Sequence, residues 1–259
     1  MIFFFSATGN TAWAAKQLGF YTSDRLINIA KNSTEPFTAQ LEPGEDIAFC
    51  FPIHGWRPPR IVVDFVKQLA IDATGHYVYA LCTAGDTVGE AMDIFRHELS
   101  EKGITLDAAF SLLMPESYVG LPFMDVDKKE REKAKQDKAA EDLKAFAQQI
   151  EQHQKHVECL TIGRWPRINS RVLGAAFYRW LITDKPFHVV SDRCVKCGIC
   201  ASVCPVHDID GGLGKEPRWL HNGQCLTCFA CYHHCPHHAI EFGNGTKHKG
   251  QYFFGRRKL

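Results

Sequence analysis

The 259-residue sequence has no long apolar run and almost no net charge, and each absence excludes a class of protein. No stretch approaches the roughly 18 consecutive apolar residues that a membrane-spanning helix needs. The formal net charge of +1 provides no basic field of the kind that attracts nucleic acid. A composition of 45% hydrophobic and 23% charged residues also excludes collagen-like, coiled-coil and disordered chains. We therefore predict a globular protein with no membrane span and no nucleic-acid partner.

The sequence also lacks a targeting signal and the common nucleotide motifs. Residues 1–5 are apolar, but the run ends at Ser6 and no basic residues precede it, which does not fit a signal peptide. No G-x-G-x-x-G fingerprint, Walker loop or catalytic Ser/His/Asp or Cys/His order is visible. We therefore expect a cytoplasmic protein, and the sequence identifies neither an NAD(P)H site nor a catalytic residue.

Cysteine is scarce over most of the chain and dense in one segment. The first 193 residues hold three cysteines, whereas eight lie between Cys194 and Cys235. Such a density requires a disulfide or a metal framework, and the reducing cytoplasm favours metal. Of the other three, Cys50 and Cys82 end predicted strands and are expected to be buried core thiols, while Cys159 receives no assignment.

The first half of the chain alternates short apolar runs with amphipathic stretches. Continuous apolar strands separated by helices are typical of a parallel sheet that is covered on both faces, which is a doubly wound α/β fold. The predicted strands span residues 1–5, 25–30, 46–51, 77–83 and, as the last strand, 104–114. The predicted helices span residues 11–18, 61–69 and 88–102.

Two further stretches follow this alternating region. Residues 127–155 are highly charged and lack Gly and Pro, which predicts one long helix with a solvated charged face. Residues 164–181 combine arginine with tryptophan and predict a connector that packs between domains. A membrane-surface helix is the alternative, although Asn169, Ser170 and Gly174 interrupt its apolar face.

Two copies of the run Cys-x2-Cys-x2-Cys-x3-Cys-Pro occupy the cysteine-dense segment. The first copy begins at Cys194 and ends at Pro205, and the second begins at Cys225 and ends at Pro236. This run is the one typical of bacterial ferredoxins, so residues 186–243 resemble a dicluster [4Fe–4S] ferredoxin. In that family the fourth cysteine of each run binds the other cluster. The resemblance therefore implies one cluster on Cys194, Cys197, Cys200 and Cys235, and a second on Cys225, Cys228, Cys231 and Cys204.

Zinc is the main alternative metal for these cysteines. Tetrahedral zinc sites use two ligand pairs separated by a longer gap, whereas here four cysteines follow in close succession, twice. Disulfides are a third reading. Four histidines near the second run could tune a cluster, but most are expected to be surface loop residues because the cysteines supply every ligand. These histidines are His233, His234, His237 and His238.

A short polar loop follows the first predicted strand and precedes the first helix. Backbone N–H groups at a helix N-terminus converge on a phosphate, and hydroxyl groups supply neutral donors. The loop also lies where α/β sheets bind ligands, at the carboxyl end of a strand. The sequence therefore favours phosphate binding, with an ordinary N-cap and glycine turn as the alternative. The residues concerned are Ser6, Thr8, Gly9, Asn10 and Thr11.

This loop resembles the FMN-phosphate loop of the flavodoxins, which has the form Ser/Thr-x-Thr-Gly-x-Thr. In that family the next two strand-end loops hold the isoalloxazine ring, and Trp56 is suited to stack on it. A half-buried surface aromatic is the alternative for Trp56. By their place in the fold, the implied flavin contacts are Pro52, His54, Gly55, Trp56, Thr83, Ala84, Gly85 and Asp86.

Taken whole, the chain resembles the EFR-type ferredoxin family, whose members fuse a flavodoxin-like domain to a dicluster ferredoxin. The resemblance implies a flavodoxin-like doubly wound parallel sheet and a small α+β ferredoxin-like domain. The predicted divisions are an FMN-binding domain at 1–160, a helical connector at 161–185, a ferredoxin-like domain at 186–245 and a basic aromatic tail at 246–259.

The leading functional hypothesis is an electron relay between FMN and two [4Fe–4S] clusters, with redox proteins as partners. The rival is a flavin-dependent reductase that binds a small substrate above the ring, using His54, Trp56 or Tyr118. A third hypothesis keeps the clusters but not FMN, and makes the first domain a docking module. The tail either docks an acidic partner or packs on its own protein.

Overall fold

The computed structural model describes residues 1–33 and 35–256, and it divides into two compact units. The first unit comprises residues 1–6, 10–115 and 130–177. The second comprises residues 7–9, 116–129 and 178–259, of which 257–259 lie outside the described residues. The units therefore interleave along the chain, and the domain boundaries given above stay predictions.

The first unit is built on a six-stranded parallel sheet. The strands are β1 (Ile2–Phe4), β2 (Leu26–Asn28), β3 (Ile47–Pro52), β4 (Val78–Ala84), β5 (Ala108–Leu113) and β6 (Val157–Cys159). Their order across the sheet is β2-β1-β3-β4-β5-β6, and every neighbouring pair is parallel. This is the flavodoxin-like strand order with one strand added, so the predicted α/β fold class is confirmed.

Four helices accompany the sheet, and their apolar side chains follow helical spacing. They are α1 (Asn10–Thr22), α2 (Arg60–Gln68), α3 (Ala91–Ser100) and α4 (Lys129–Glu151). The long charged helix predicted over 127–155 is α4, which buries only Ala139, Leu143, Ala147 and Ile150. This narrow buried stripe leaves the charged residues at the surface, as the mixed charge pattern predicts.

The structure corrects several predicted bounds in this unit. Strand 104–114 is not the last, because β6 adds to the sheet beside β5. Three residues are too few to show an alternating pattern, so β6 could not be predicted from its own residues. Strand 25–30 ends at Asn28, whose side chain accepts a hydrogen bond from the Ala30 N–H and begins a 3₁₀ turn. The helix expected from residue 88 begins at Ala91, after Gly89 with φ +57°.

Residues 166–181 form consecutive helical turns of α and π type. Within the first unit, Ser170 and Gly174 are buried, whereas Trp165, Ile168 and Val172 are at least half exposed. The two small residues therefore do not interrupt an inward apolar face, because they are themselves the inward face. No helix among residues 1–33 and 35–256 is long and apolar enough to cross a membrane.

The second unit contains little regular structure. Strand β7 (Phe187–Val189) pairs antiparallel with β10 (Ile240–Phe242), and β8 (Ile209–Gly212) pairs antiparallel with β9 (Lys215–Trp219). Two short helices, α5 (Ile199–Ser202) and α6 (Ala230–His234), each carry the third cysteine of a run. Strand β10 follows the second cysteine run directly.

The core of the second unit includes the cysteines themselves. Its buried side chains are Val119, Phe187, Cys200, Ile209, Phe229, Cys231, Tyr232, Cys235, Ala239 and Ile240. Phe229 lies at the centre, with ring centroids 5.1 to 5.3 Å from those of Tyr118, Phe187 and Phe242. Three of the eight cysteines are therefore packed as core residues, which fixes their positions through neighbouring aromatic rings.

Candidate functional site

The two cysteine runs have matching backbones. Lys196 and Thr227, the residues before the second cysteines, have φ of +55° and +47°. Gly198 and Phe229, which follow those cysteines, have φ of +77° and +58°. In each run this left-handed residue leads directly into the short helix that carries the third cysteine. The local fold of one run is therefore repeated in the other.

A cavity in the second unit is lined by Cys194, Cys197, Cys200 and Cys235. The first three come from one run and the fourth from the other. Gly198 permits the approach of two loops here, since a Cβ on this residue would lie 2.8 Å from the Gly212 carbonyl carbon. These four are the cysteines that the ferredoxin resemblance assigns to one cluster.

A second cavity is lined by Cys204, Cys225, Cys228 and Cys231. Here too the fourth cysteine of one run joins the first three of the other. Its wall is otherwise mainly apolar, and includes Phe187, Leu226 and Phe229. The structure thus groups the eight cysteines crosswise into two sets of four, while their role as metal ligands stays a prediction.

Burial shapes the acid–base chemistry of these thiols. It raises the pKa of Cys200 in the first cavity to about 11 and that of Cys228 in the second to about 12. Burial also raises the pKa of Cys225 and Cys231. A buried thiol stays protonated unless a positive charge compensates the thiolate, so a metal must displace protons to bind here.

Backbone N–H groups are directed at several sulfur atoms. The Asp208 N–H donates to Cys204 Sγ at 3.3 Å, and the Ala239 N–H donates to Cys235 Sγ at 3.2 Å. The Thr227 N–H donates to Cys225 Sγ at 3.4 Å. Such donors stabilise negative charge on sulfur. Four thiols that line one cavity, with backbone N–H groups donating to their sulfur atoms, fit an iron–sulfur cluster.

All eleven cysteines are free thiols, so the disulfide reading is not what the structure shows. Cys50 and Cys82 are buried in β3 and β4 as expected, and burial raises the pKa of Cys82 to about 12. Cys159 is partly buried, and its Sγ donates to Gln149 Oε1. Within residues 1–33 and 35–256, no three His, Cys, Asp or Glu side chains converge on a single-ion position.

The expectation that most of the four histidines are surface loop residues is wrong. Only His237 is exposed, and His233 is completely buried. The Tyr252 N–H donates to His233 Nδ1 at 3.1 Å, so the ring carries its proton on Nε2 and donates to the Ser117 carbonyl oxygen at 2.6 Å. Burial lowers the pKa of His233 to about 3. This histidine joins three segments of the unit in its neutral form.

The basic aromatic tail packs on its own protein as far as it is described. Tyr252 is buried, the Phe253 ring stacks on the His234 ring at 4.2 Å, and the Phe254 N–H donates to the Thr8 carbonyl oxygen at 2.8 Å. Arg257 and Lys258 lie outside the described residues. The tail therefore connects the second cysteine run with residues 7–9 of the same unit.

The first loop is held by contacts with protein. Gly9 has φ +92°, and a Cβ added to it would lie 3.0 Å from Phe254 Cβ, so both the backbone and the tail require glycine. Thr8 Oγ1 donates to Ser117 Oγ at 3.3 Å. In the first unit, Asn10 Nδ2 donates to the Pro115 carbonyl oxygen and Thr11 Oγ1 lies 2.7 Å from Thr83 Oγ1.

These contacts give most of the predicted phosphate-loop side chains a structural role. Thr8, Asn10 and Thr11 are buried, and Ser6 is partly exposed after β1. The hydroxyls, the amide and the first turn of the 13-residue helix α1 are nonetheless donors, and this donor set fits an anion such as a flavin phosphate. Phosphate binding at this loop stays a prediction.

The loop after β3 is packed by the helical turns of residues 166–177. A Cβ on Gly55 would lie 2.7 Å from Phe177 Cδ1, and Ser170 Oγ donates to the Trp56 carbonyl oxygen at 3.0 Å. Trp56 is half-buried, with φ +56°, and its Nε1 donates to Thr87 Oγ1 at 3.1 Å. Both readings of Trp56 therefore remain open.

Two further features complete these strand-end loops. Burial lowers the pKa of His54, which follows Pro52 and Ile53, to about 4. After β4, Thr83 and Ala84 are buried and Asp86 is exposed. The Gly85 carbonyl oxygen accepts a hydrogen bond from Lys135 Nζ at 2.7 Å. The hydroxyl groups of Thr83 and Thr11 are hydrogen-bonded in the structure, although the two residues belong to separate predicted loops.

Two buried polar residues were missed by the sequence reasoning. Ser170 Oγ accepts from the Glu90 N–H at 2.8 Å and holds two strand-end segments of the first unit. Asp208 is fully buried beside Cys204 and Cys225, and burial together with the nearby Asp184 raises its pKa to about 6. One signal for Asp208 was present in the sequence. Asp208 stands four residues after the last cysteine of the first run, and the second run has Ala239 at the same position.

Residues 188–236 match the family described as a 4Fe-4S dicluster domain. Among curated proteins, the chain is similar to a ferredoxin from Megasphaera elsdenii, with 61% identity over 28 residues that cover 11% of this chain and 52% of the relative. A ferredoxin from Thermoanaerobacterium thermosaccharolyticum is 50% identical over 28 residues, which cover 11% and 51% of the two chains. The chain thus spans about half the length of these curated relatives.

Among solved structures, the fold is similar to that of a candidate flavoprotein from Bacteroides eggerthii. The match has 19% identity and a TM-score of 0.35, and it covers 54% of this chain and 96% of that chain. At this score it gives no functional information. The cysteine-rich segment is therefore the part of the chain that the comparisons identify: it is a ferredoxin-type 4Fe-4S dicluster domain, joined to a flavodoxin-like α/β fold.

Proposed function

We propose that this protein transfers electrons through two [4Fe–4S] clusters. One would be held by Cys194, Cys197, Cys200 and Cys235, and the other by Cys204, Cys225, Cys228 and Cys231. The observation that carries the proposal is the crosswise grouping of eight thiols around two cavities. The match of residues 188–236 to a 4Fe-4S dicluster domain supports it.

The protein's own residues would set the environment of this chemistry. When bound, such clusters supply one-electron centres whose potentials respond to charge, hydrogen bonds and solvent. Phe187, Leu226 and Phe229 exclude water from the second cavity. The Asp208 and Ala239 N–H groups donate to sulfur in the two runs and hold the chain around each cavity.

We further propose that the first loop binds the phosphate of FMN, and that the loops after β3 and β4 hold the flavin ring. Support comes from the hydroxyl, amide and glycine residues of the loop and from its place at the start of α1, after β1, in a sheet of flavodoxin-like order. A flavin exchanges one or two electrons, so a chain with both groups would connect one-electron and two-electron redox partners in the cytoplasm.

The test of the cluster proposal is anaerobic purification followed by iron, sulfide and flavin quantitation and an absorption spectrum. We expect about eight iron and one FMN per chain. Cys197→Ala and Cys228→Ala should each remove about four iron, whereas Cys159→Ala, outside both cavities, should remove none. Stoichiometric zinc in place of iron would overturn the proposal.

The flavin is tested separately by comparing FMN with riboflavin in equilibrium titrations. A site that uses the phosphate should bind FMN at least tenfold more tightly, since hydrogen bonds to a charged group contribute about 1.5–3 kcal/mol. Thr8→Ala should remove part of that preference, and Thr22→Ala, at the far end of α1, should keep it. Equal binding of both molecules, or of neither, would refute the phosphate loop and leave the clusters unaffected.

A further inference from the structure

Asp208 is a buried carboxylate whose presence the fold alone does not explain. Its side chain has no exposed surface, and its carboxylate faces the Cys225 thiol and a second carboxylate, Asp184. Asp184 is itself paired with His221 at 3.0 Å. Burial of a carboxylate beside another carboxylate is unfavourable for stability. A buried acid at this position therefore points to a role in the adjoining cavity.

The repeated backbone provides an internal reference for this residue. Asp208 stands four residues after Cys204, and Ala239 stands four residues after Cys235. Each donates its N–H to the sulfur of that cysteine, at 3.3 and 3.2 Å. His207 and His238, which precede them, have φ of +51° and +50°. The two residues therefore occupy equivalent positions of the repeated backbone. Their side chains differ, since Asp208 has a carboxylate and Ala239 has none.

The two cavities also differ in the charged residues that line them. Asp208 is the acidic side chain that lines the cavity of Cys204, Cys225, Cys228 and Cys231. The other cavity is lined by Arg193, Lys196 and Lys215, and by Ala239 in place of the carboxylate. Lys196 and Lys215 are exposed, so solvent screens them, whereas Asp208 is buried and screened little.

We propose that Asp208 lowers the reduction potential of the cluster held by Cys204, Cys225, Cys228 and Cys231 below that of the other cluster. This inference rests on the cluster sites proposed above. A negative charge at short range in a medium of low dielectric opposes the addition of an electron. The Thr227 N–H, which donates to Cys225 Sγ, acts in the opposite direction and would raise the potential of this cluster. It contributes only a dipole, whereas an ionised Asp208 contributes a full charge.

A consequence is a fixed direction of electron flow between the clusters. With both clusters bound, an electron shared by the pair would reside at equilibrium on the one held by Cys194, Cys197, Cys200 and Cys235. An electron that entered at the other cluster would therefore move to it. Without the carboxylate, the difference between the two potentials should shrink.

The experiment is an anaerobic redox titration of the purified full-length protein at pH 8, followed by electron paramagnetic resonance. The wild type should show two midpoints. Asp208→Asn, which keeps the shape, and Asp208→Ala, which installs the residue of the other repeat, should raise the lower midpoint and leave the upper one in place. We expect at least a tenfold change in the reduced-to-oxidised ratio at fixed potential, which is about 59 mV for a one-electron couple. Asp210→Asn is the matched control, since Asp210 is exposed in β8.

Each outcome separates this inference from the proposed function. Absence of two iron–sulfur signals in the wild type would refute the cluster sites themselves. Two signals with midpoints that neither Asp208 variant moves would refute only the role of Asp208. An equal shift of both midpoints, or a shift of the same size in Asp210→Asn, would also refute it. Loss of four iron in both Asp208 variants would count against it, because Asp208 would then serve cluster assembly.

Discussion

The two units of the molecule reach a packed core by different means. In the first, the sheet interior is hydrocarbon: Phe3, Phe49, Phe65 and Phe110 are buried to 1% exposure or less. In the second, the strands are three to five residues long, and Cys200, Cys231 and Cys235 occupy core positions. The first core is complete with side chains alone. The second core surrounds two cavities and needs what fills them.

The stability of the two units has different origins. A large parallel sheet buries enough apolar area to fold on the hydrophobic effect. A small unit whose buried thiols bind a metal gains folding free energy from that binding. We therefore expect iron, bound as proposed, to stabilise the second unit and not the first, and each of the following changes tests this expectation.

Removal of iron should have the largest effect, and only on the second unit. Without metal, the buried thiols leave two cavities in a core of ten residues, so residues 185–250 should lose protection while β3 and β4 keep theirs. Amide hydrogen exchange measured by mass spectrometry before and after anaerobic chelation checks this. Equal loss of protection in both units would contradict a stabilising role of iron that is confined to the second unit.

Phe110→Ala should have the largest effect of a single substitution in the first unit. Phe110 is fully buried in β5, with its ring centroid 4.9 Å from that of Phe146. Truncation of a buried phenylalanine typically lowers the free energy of unfolding by about 3–5 kcal/mol. Denaturant unfolding followed by far-UV circular dichroism measures it, and iron content should be unchanged. Phe123→Ala is the control, since Phe123 is 83% exposed and its loss should leave stability nearly unaltered.

Acid should weaken the first unit through His54. Burial lowers its pKa from an ordinary 6.5 to about 4, so the unfolded chain binds the proton more readily than the folded one. Stability is therefore highest above pH 6.5 and falls as the pH drops from 6.5 towards 4, by at most about 3 kcal/mol. Urea unfolding at pH 7.5 and 5 measures the slope. In His54→Gln the contribution of this residue should vanish, and an unchanged slope would contradict the assignment.

Ser170→Ala should have the smallest effect of these changes. It removes the acceptor of the Glu90 N–H and the donor to the Trp56 carbonyl oxygen. Loss of a buried hydrogen-bonding group lowers stability by about 1–3 kcal/mol. Trp fluorescence during unfolding reports on it, and Ser100→Ala, an exposed serine at the end of α3, should have no measurable effect. If Ser170→Ala also left stability unchanged, the helical turns of 166–177 would not be anchored at this residue.

Much of the fold was predictable because the relevant signals are local. The buried strands β3 and β4 are continuous apolar runs, and the eight cysteines lie at fixed short spacings. The missed features depend on distant residues. Strand β6 exists because β5 offers an edge, and His233 is buried because Ser117 and Tyr252 pack around it. Neither the free edge of β5 nor the packing around His233 can be inferred from the residues next to them in the sequence.

The candidate sites follow the same division. The cysteine sets came from a spacing pattern, whereas Asp208 becomes noticeable only when its burial beside Cys204 and Cys225 is seen. The first loop was identified by its letters, but its contact with Phe254 joins positions near opposite ends of the sequence. Sequence reasoning finds residues whose chemistry is set by their neighbours along the chain. It misses those whose chemistry is set by neighbours in space.

The contact between Phe254 and Thr8 also has a consequence for biosynthesis. The second unit draws on residues 7–9, which leave the ribosome early, and on Gln251 and Tyr252, which leave it late. The first unit comprises no residue beyond 177, so all of its residues are synthesised before Gln251 and Tyr252. The contacts that the second unit makes with Gln251 and Tyr252 form only after these late residues have been synthesised. We therefore expect the cysteine-rich unit to complete its packing, and to bind any cluster, after the α/β unit has folded.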